Sequence, residues 1–164
     1  MSSKMLPIQE QLLFQTNIIR SAHSLPPLTW NTDLANEVQK YANTCPGPKH
    51  GGPEGFQNLA PFTHCSVYGK CENTLGAAWT WYNKEETLWN YDVNACSTGQ
   101  WYDCGHFSNM MDPSVTEMGC GFSLSSWCGG SNYVWCNYVG NVNNPVIPYR
   151  LVSKDELEQY LLAN

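Results

Sequence analysis

Charge is scarce in this sequence, and positive charge is scarcest. Of 164 residues, 8 are Lys or Arg and 14 are Asp or Glu, a formal net charge of −6. Charged residues make up 13%, against about 25% in an ordinary globular chain. With no Lys/Arg cluster, no binding of nucleic acid through phosphate neutralisation is expected. No apolar run nears the ~20 residues of a membrane span. Leu12-Leu13-Phe14 is too short even for the core of a secretory leader. Cys-x-x-Cys pairs are absent, which counts against zinc ribbons, and His-Glu-x-x-His is absent, which excludes zincins. So are Gly-x-Ser-x-Gly and the glycine-rich nucleotide loops, which removes a serine nucleophile elbow and argues against nucleotide cofactors. No Asn-x-Ser/Thr sequon occurs, so N-glycosylation is not expected.

What is abundant is aromatic and sulfur chemistry. The chain has 7 Trp, 9 Tyr, 5 Phe and 8 Cys, and 42% of it is hydrophobic. That length and composition fit one domain with a proper core and exclude a disordered chain. An even cysteine count with few charges predicts a disulfide-stapled, extracellular domain; zinc ligation is the rival reading. Secretion in turn implies a leader that this sequence does not show.

The hydrophobic pattern predicts helices first and strands last. Ile8, Leu12, Gln15 and Ile19 share a face over 8–22, and Ser24-Leu25-Pro26-Pro27 stops that helix. Over 33–45, Leu34, Val38, Tyr41, Ala42 and Cys45 form one stripe, with Asn31, Thr32 or Asp33 as cap and Cys45 turned inward. Residues 46–74 read as loop, in which Cys65 and Cys71 are close enough to bridge. A third helix is expected over about 73–89, with Ala78, Trp81, Glu85 and Trp89 on one face. A carboxylate among aromatics needs a partner, so Glu85 stands out, with solvation as the plain alternative for Glu85 or Glu86. A short helix is expected at 106–112. Met118, Cys120, Phe122 and Leu124 alternate as a strand, and Tyr133 to Tyr138 is rich in β-formers. Gly129-Gly130-Ser131-Asn132 then predicts a hairpin turn between them. Ser153-x-x-Glu156 opens a last helix with Leu157, Tyr160 and Leu161 on one face. That order is α+β.

Chemistry is scattered along the chain. His50 follows a Pro/Gly loop, Glu85 lies on an aromatic helix and His106 follows Cys104-Gly105. Two imidazoles and a carboxylate can gather a divalent cation or exchange a proton; three unrelated surface residues are the plain alternative.

Several segments match a known pattern in order. They are Arg20 to Trp30 (RSAHSLPPLTW), Leu34 to Cys45, His50 with Gln57-Asn58-Leu59-Ala60, Trp81-Tyr82-Asn83-Lys84-Glu85, Gly105-His106-Phe107-Ser108-Asn109-Met110-Met111, Val115 to Gly121, Tyr133 to Tyr138, and Gly140-Asn141 with Pro148-Tyr149. Together they resemble the CAP superfamily of cysteine-rich secretory proteins, antigen 5 and pathogenesis-related 1 proteins. The resemblance implies a three-layer α-β-α sandwich around a central antiparallel sheet, over residues 1–150, with 151–164 as a short helical extension. It implies the bridges Cys45–Cys128, Cys96–Cys104 and Cys120–Cys136, leaving Cys65–Cys71 as a local one. It also implies a cleft formed by His50, Gln57, Glu85 (or Glu86, since one extra residue stands there) and His106.

Gln57 replaces the family's glutamate, so a cation such as Zn²⁺ on His50, Glu85 and His106 is expected to bind weakly. Asp112 replaces a family tryptophan, which predicts a softer wall. The resemblance implies a secreted, non-catalytic binder of sterols or other small lipids in defence or host interaction, and a protein receptor is a further partner class. Trp89, Tyr91, Trp101 and Tyr102 are the candidate apolar wall. The alternatives are a metal-dependent hydrolase at the cleft, and a precursor that releases Val139 to Tyr149 as a signalling peptide.

Overall fold

The computed structural model describes residues 4–62, 65, 71–143 and 145–164. Helix α1 spans Pro7–Ala22. Proline is tolerated in a first turn, and the Gln9 amide oxygen accepts the Leu6 N–H at 3.0 Å. Strand β1 (Thr29–Trp30) leads into α2 (Thr32–Ala42), which Asn31 caps by accepting the Leu34 N–H at 2.9 Å. There follow β2 (Phe56–Pro61), α3 (Ala77–Glu86), the β3–β4 hairpin (Trp89–Asn90 and Ala95–Cys96) and a 3₁₀ turn at Trp101–Cys104. Then come α4 (Gly105–Met111), β5 (Glu117–Ser123), α5 (Ser125–Cys128), β6 (Tyr133–Val139) and α6 (Lys154–Ala163).

The main sheet runs β1-β5-β6-β2, antiparallel except that β1 lies parallel to β5. Helix α2 covers one face, where Val38, Ala42 and Trp135 are fully buried. Helices α1, α3 and α4 pack on the other side around Leu12, Ile19, Tyr82, Phe107 and Met110. This is the three-layer α-β-α sandwich. The glycines at 119 and 121 explain how closely α2 can lie. A Cβ on Gly119 would sit 2.6 Å from the Ala35 nitrogen, and one on Gly121 would sit 2.7 Å from the Gln39 nitrogen.

All four expected disulfides are present. Cys120 and Cys136 are direct cross-strand partners in the β5–β6 register, so their bridge locks that register. Cys45–Cys128 ties the segment after α2 to α5, and Cys96–Cys104 ties the small hairpin to the turn before α4.

Several local expectations need correction. Segment 56–61 is a strand, although it lacks the β-branched residues that signal one; its full-length pairing with β6 supplies the order. The loop reading of 63–64 and 66–70 lies outside the described residues. Helix α2 stops at Ala42, and Cys45 stands exposed beyond it at φ 55°, so the periodic stripe ends before reaching it. Helix α3 ends at Glu86, and Trp89 belongs to β3. The β5–β6 connection holds α5 and is no tight turn, though Gly129 and Gly130 take the positive φ values of 73° and 67° that glycine allows. In α6, Ser153 caps as expected by accepting the Glu156 N–H, and Leu157 and Leu161 are buried, but Tyr160 is half exposed.

Candidate functional site

Helix α3 carries Glu85 to the beginning of α4. One carboxylate oxygen accepts the backbone N–H of His106 at 2.9 Å and of Phe107 at 3.3 Å. The other lies 2.5 Å from His106 Nδ1. Glu85 therefore does two jobs. It satisfies N–H groups that the first turn of a helix leaves open, and it orients an imidazole. A carboxylate accepts, so Nδ1 carries a proton and is the donor of this bond. The Trp81 ring stacks on His106 at 6.0 Å. Asn58 holds the other side of α4: it donates to the His106 carbonyl at 2.9 Å and accepts from Asn109 at 3.0 Å.

Across the cleft, Gln57 of β2 organises the loop that carries His50. Its amide nitrogen donates to the Gly51 carbonyl at 2.9 Å and to Asn137 Oδ1 at 2.7 Å. Its oxygen accepts the Gly51 N–H at 3.3 Å and faces His50 Nδ1 at 2.8 Å. With the amide so assigned, His50 Nδ1 must donate. Both histidines thus use Nδ1 as donor, and Nε2 of each has no partner among the described residues. His50, Gln57 and His106 line one cleft of about 650 Å³, with Glu54, Tyr102 and Asn109. Glu85 stands behind His106, with its oxygens committed as above. Among the described residues no three His, Cys, Asp or Glu side chains gather as a metal-holding group. The donors aimed at the cleft do not make a complete metal site.

The four candidate wall aromatics do not form one wall. Trp101 and Tyr102 stand at the cleft mouth, 78% and 60% exposed. Trp89 is buried against Phe107 and lines a second hollow of about 420 Å³ with Ala95, Trp101, Val142 and Pro145. Its indole N–H is buried and has no acceptor among the described residues. Tyr91 belongs to the interior: it stacks on His23 and gives its hydroxyl to Glu86 at 2.7 Å. Nor does Asp112 soften the wall. Its buried carboxylate accepts the Ser114 N–H at 2.7 Å and faces the Arg20 guanidinium.

Glu86 points the other way from Glu85, into the C-terminal segment. Arg150 and Lys154 both pair with its buried carboxylate. Beside it, His23 is fully buried, 2.7 Å from the Pro148 carbonyl through Nδ1 and 2.7 Å from the Tyr82 hydroxyl through Nε2. A carbonyl cannot donate, so His23 is the Nδ1–H tautomer and Tyr82 donates to it. Sequence reasoning singled out neither role: the partners lie 125 and 64 residues away, beyond any local spacing.

This histidine predicts a pH dependence. Burial holds its pKa below the ordinary 6.5; the Pro148 carbonyl and Glu86 oppose that, and Arg150 reinforces it. Below pH 6.5 the unfolded chain gains a proton that the folded chain refuses. Its contribution is therefore complete above that value and is lost as pH falls towards the folded pKa. Urea unfolding at stepped pH is expected to show stability falling from pH 7 to 5, by at most about 1.4 kcal/mol per pH unit for this group. His23→Gln should flatten that portion.

A family model described as "CAP: Cysteine-rich secretory protein family" matches residues 13–138. The chain is 32% identical over 141 residues to Pathogenesis-related protein PR-1 of Medicago truncatula, covering 84% of this chain and 76% of that protein. Among solved structures, BmVAL-1 superposes with a TM-score of 0.65 at 20% identity, covering 93% of this chain and 86% of that one. NaASP2, solved with Zn²⁺, gives 0.62 at 13% identity, covering 93% and 94%. The structures share the fold; the sequence matches carry the kinship. On both, the chain belongs to the CAP family of cysteine-rich secretory proteins.

Proposed function

We propose that this protein is a secreted, non-catalytic binder of a small apolar ligand, a sterol or fatty acid, working in defence or host interaction. The carrying observation is the hollow beside the β3–β4 hairpin, walled by Trp89, Ala95, Trp101, Val142 and Pro145. At about 420 Å³ it lies within the usual range of ligand pockets, about 300–1,000 Å³. Four disulfides suit an oxidising, extracellular setting.

The alternatives have less support. For a hydrolase, Gln57 cannot ionise, and a divalent ion would have two imidazoles and solvent as ligands, a set that binds weakly. For peptide release, Val139 is paired in the sheet, Ile147 is buried and donates its N–H to Asn94, and the Pro148 carbonyl accepts from His23. Titration of the oxidised protein with a labelled sterol and a labelled fatty acid should show saturable binding at micromolar concentration. Val142→Arg, which fills the hollow, should abolish it. No saturable binding, or binding indifferent to that substitution, overturns the proposal.

A further inference from the structure

We propose that the apolar ligand carries a neutral sugar head, so that the protein recognises a glycosylated lipid across two hollows at once. This rests on the lipid reading above. The geometry for it lies in Trp101. That ring lines both the apolar hollow and the polar cleft. Helix α4 also borders both: Ser108 faces the hollow, while Gly105, His106 and Asn109 face the cleft. In the proposed pose the ligand body lies against Trp89 and Val142 and its head passes Trp101 to reach the cleft of His50 and His106.

The chemistry of the cleft selects the head group. His50 and His106 each leave Nε2 unbonded among the described residues, Glu54 adds a carboxylate that only accepts, and Asn109 adds an amide. A head rich in hydroxyls, which both donate and accept, suits that mixture. Among the described residues the cleft lining holds no Lys or Arg to neutralise a phosphate or carboxylate head. A sugar donates from every hydroxyl and can accept from the Asn109 amide. Its ring also has flat C–H faces, which bury well on aromatic surface. Trp101 and Tyr102 supply that surface at the mouth, their rings 6.0 Å apart and nearly perpendicular. Exposure of 78% and 60% is costly for such rings unless something covers them.

The test is a direct comparison of cholesterol, cholesteryl β-D-glucoside and methyl β-D-glucoside against the oxidised protein. The glucoside of the sterol is expected to bind at least about tenfold more tightly than the sterol, the scale of one or two hydrogen bonds with added ring contact. His50→Ala and, separately, Tyr102→Ala should remove that advantage and leave sterol binding unchanged, since neither residue lines the apolar hollow. Sterol binding with no gain from the sugar overturns this inference and leaves the lipid reading standing. Absence of binding by both sterol ligands overturns the two together. Methyl glucoside binding as tightly as the sterol glucoside also overturns it, since the cleft would then act alone.

Discussion

Arg20→Met is expected to cost about 4 kcal/mol or more of folding stability, the largest effect of any single substitution considered. Arg20 is fully buried at the end of α1, and its guanidinium is spent on main-chain carbonyls. Nε donates to Pro26 at 2.9 Å, Nη1 to Met110 at 2.9 Å and Asp112 at 3.0 Å, and Nη2 to Val115 at 3.3 Å. Methionine fills similar space but donates nothing. It would take the side-chain donors from four main-chain carbonyls in a buried site, and remove the positive charge whose field reaches the Asp112 carboxylate. Burial lowers the Arg20 pKa to about 10, with Asp112 pulling it back up, so the group stays charged at neutral pH. Urea unfolding with disulfides intact would read the loss. Arg20→Lys should fall between, since it keeps the charge but not the planar fork. A loss below about 1 kcal/mol for Met would show that water or relaxation satisfies the carbonyls, and would remove Arg20 as the link between α1 and the end of α4.

Much of this architecture is legible in the residues, and the parts that are not share a cause. The end of α1 shows in Ser24-Leu25-Pro26-Pro27, the cap of α2 in Asn31 and that of α6 in Ser153, because these signals act over a few residues. The cleft pairing of Glu85 with His106 and of Gln57 with His50 follows from motif order. The roles of Arg20, His23 and Glu86 depend chiefly on partners 59 to 125 residues away. No period of 2 or 3.6 carries that information, and a basic residue on a helix reads as solvated by default. Strand β2 was hidden for a related reason. Phe56-Gln57-Asn58-Leu59-Ala60 has little strand propensity of its own and takes its conformation from β6. Trp101 and Tyr102 carry the opposite lesson. Their aromatic character predicted burial or a wall, and only the fold separates them from Trp89 and Tyr91.

Removing the Glu86 carboxylate is the second large perturbation, and it acts on a different part of the molecule. Adjacent residues on a helix point about 100° apart. Glu85 thus serves the cleft while Glu86 serves the tail. Its carboxylate is 4% exposed and meets Arg150, Lys154 at 3.3 Å, and the Tyr91 hydroxyl. Around that centre, Tyr149 packs edge-on against Tyr91, Leu151 donates its N–H to the Ala22 carbonyl, and Leu157 and Leu161 seal α6 into the core. Glu86→Ala would leave two cations facing each other in a partly buried pocket. Breaking such a pair from one side costs about 3 kcal/mol, at the low end because Arg150 and Lys154 are 13% and 20% exposed. Hydrogen exchange should then rise first in 147–163, with β5 and β6 still protected by the Cys120–Cys136 bridge and their shared register. Binding at the cleft should persist, because Glu85 and His106 do not depend on the tail. Uniform loss of protection across the sheet would instead mean that the segment is integral to the core. Unchanged exchange in 147–163 would mean that the apolar seal of Leu157 and Leu161 holds the tail without its ionic clasp.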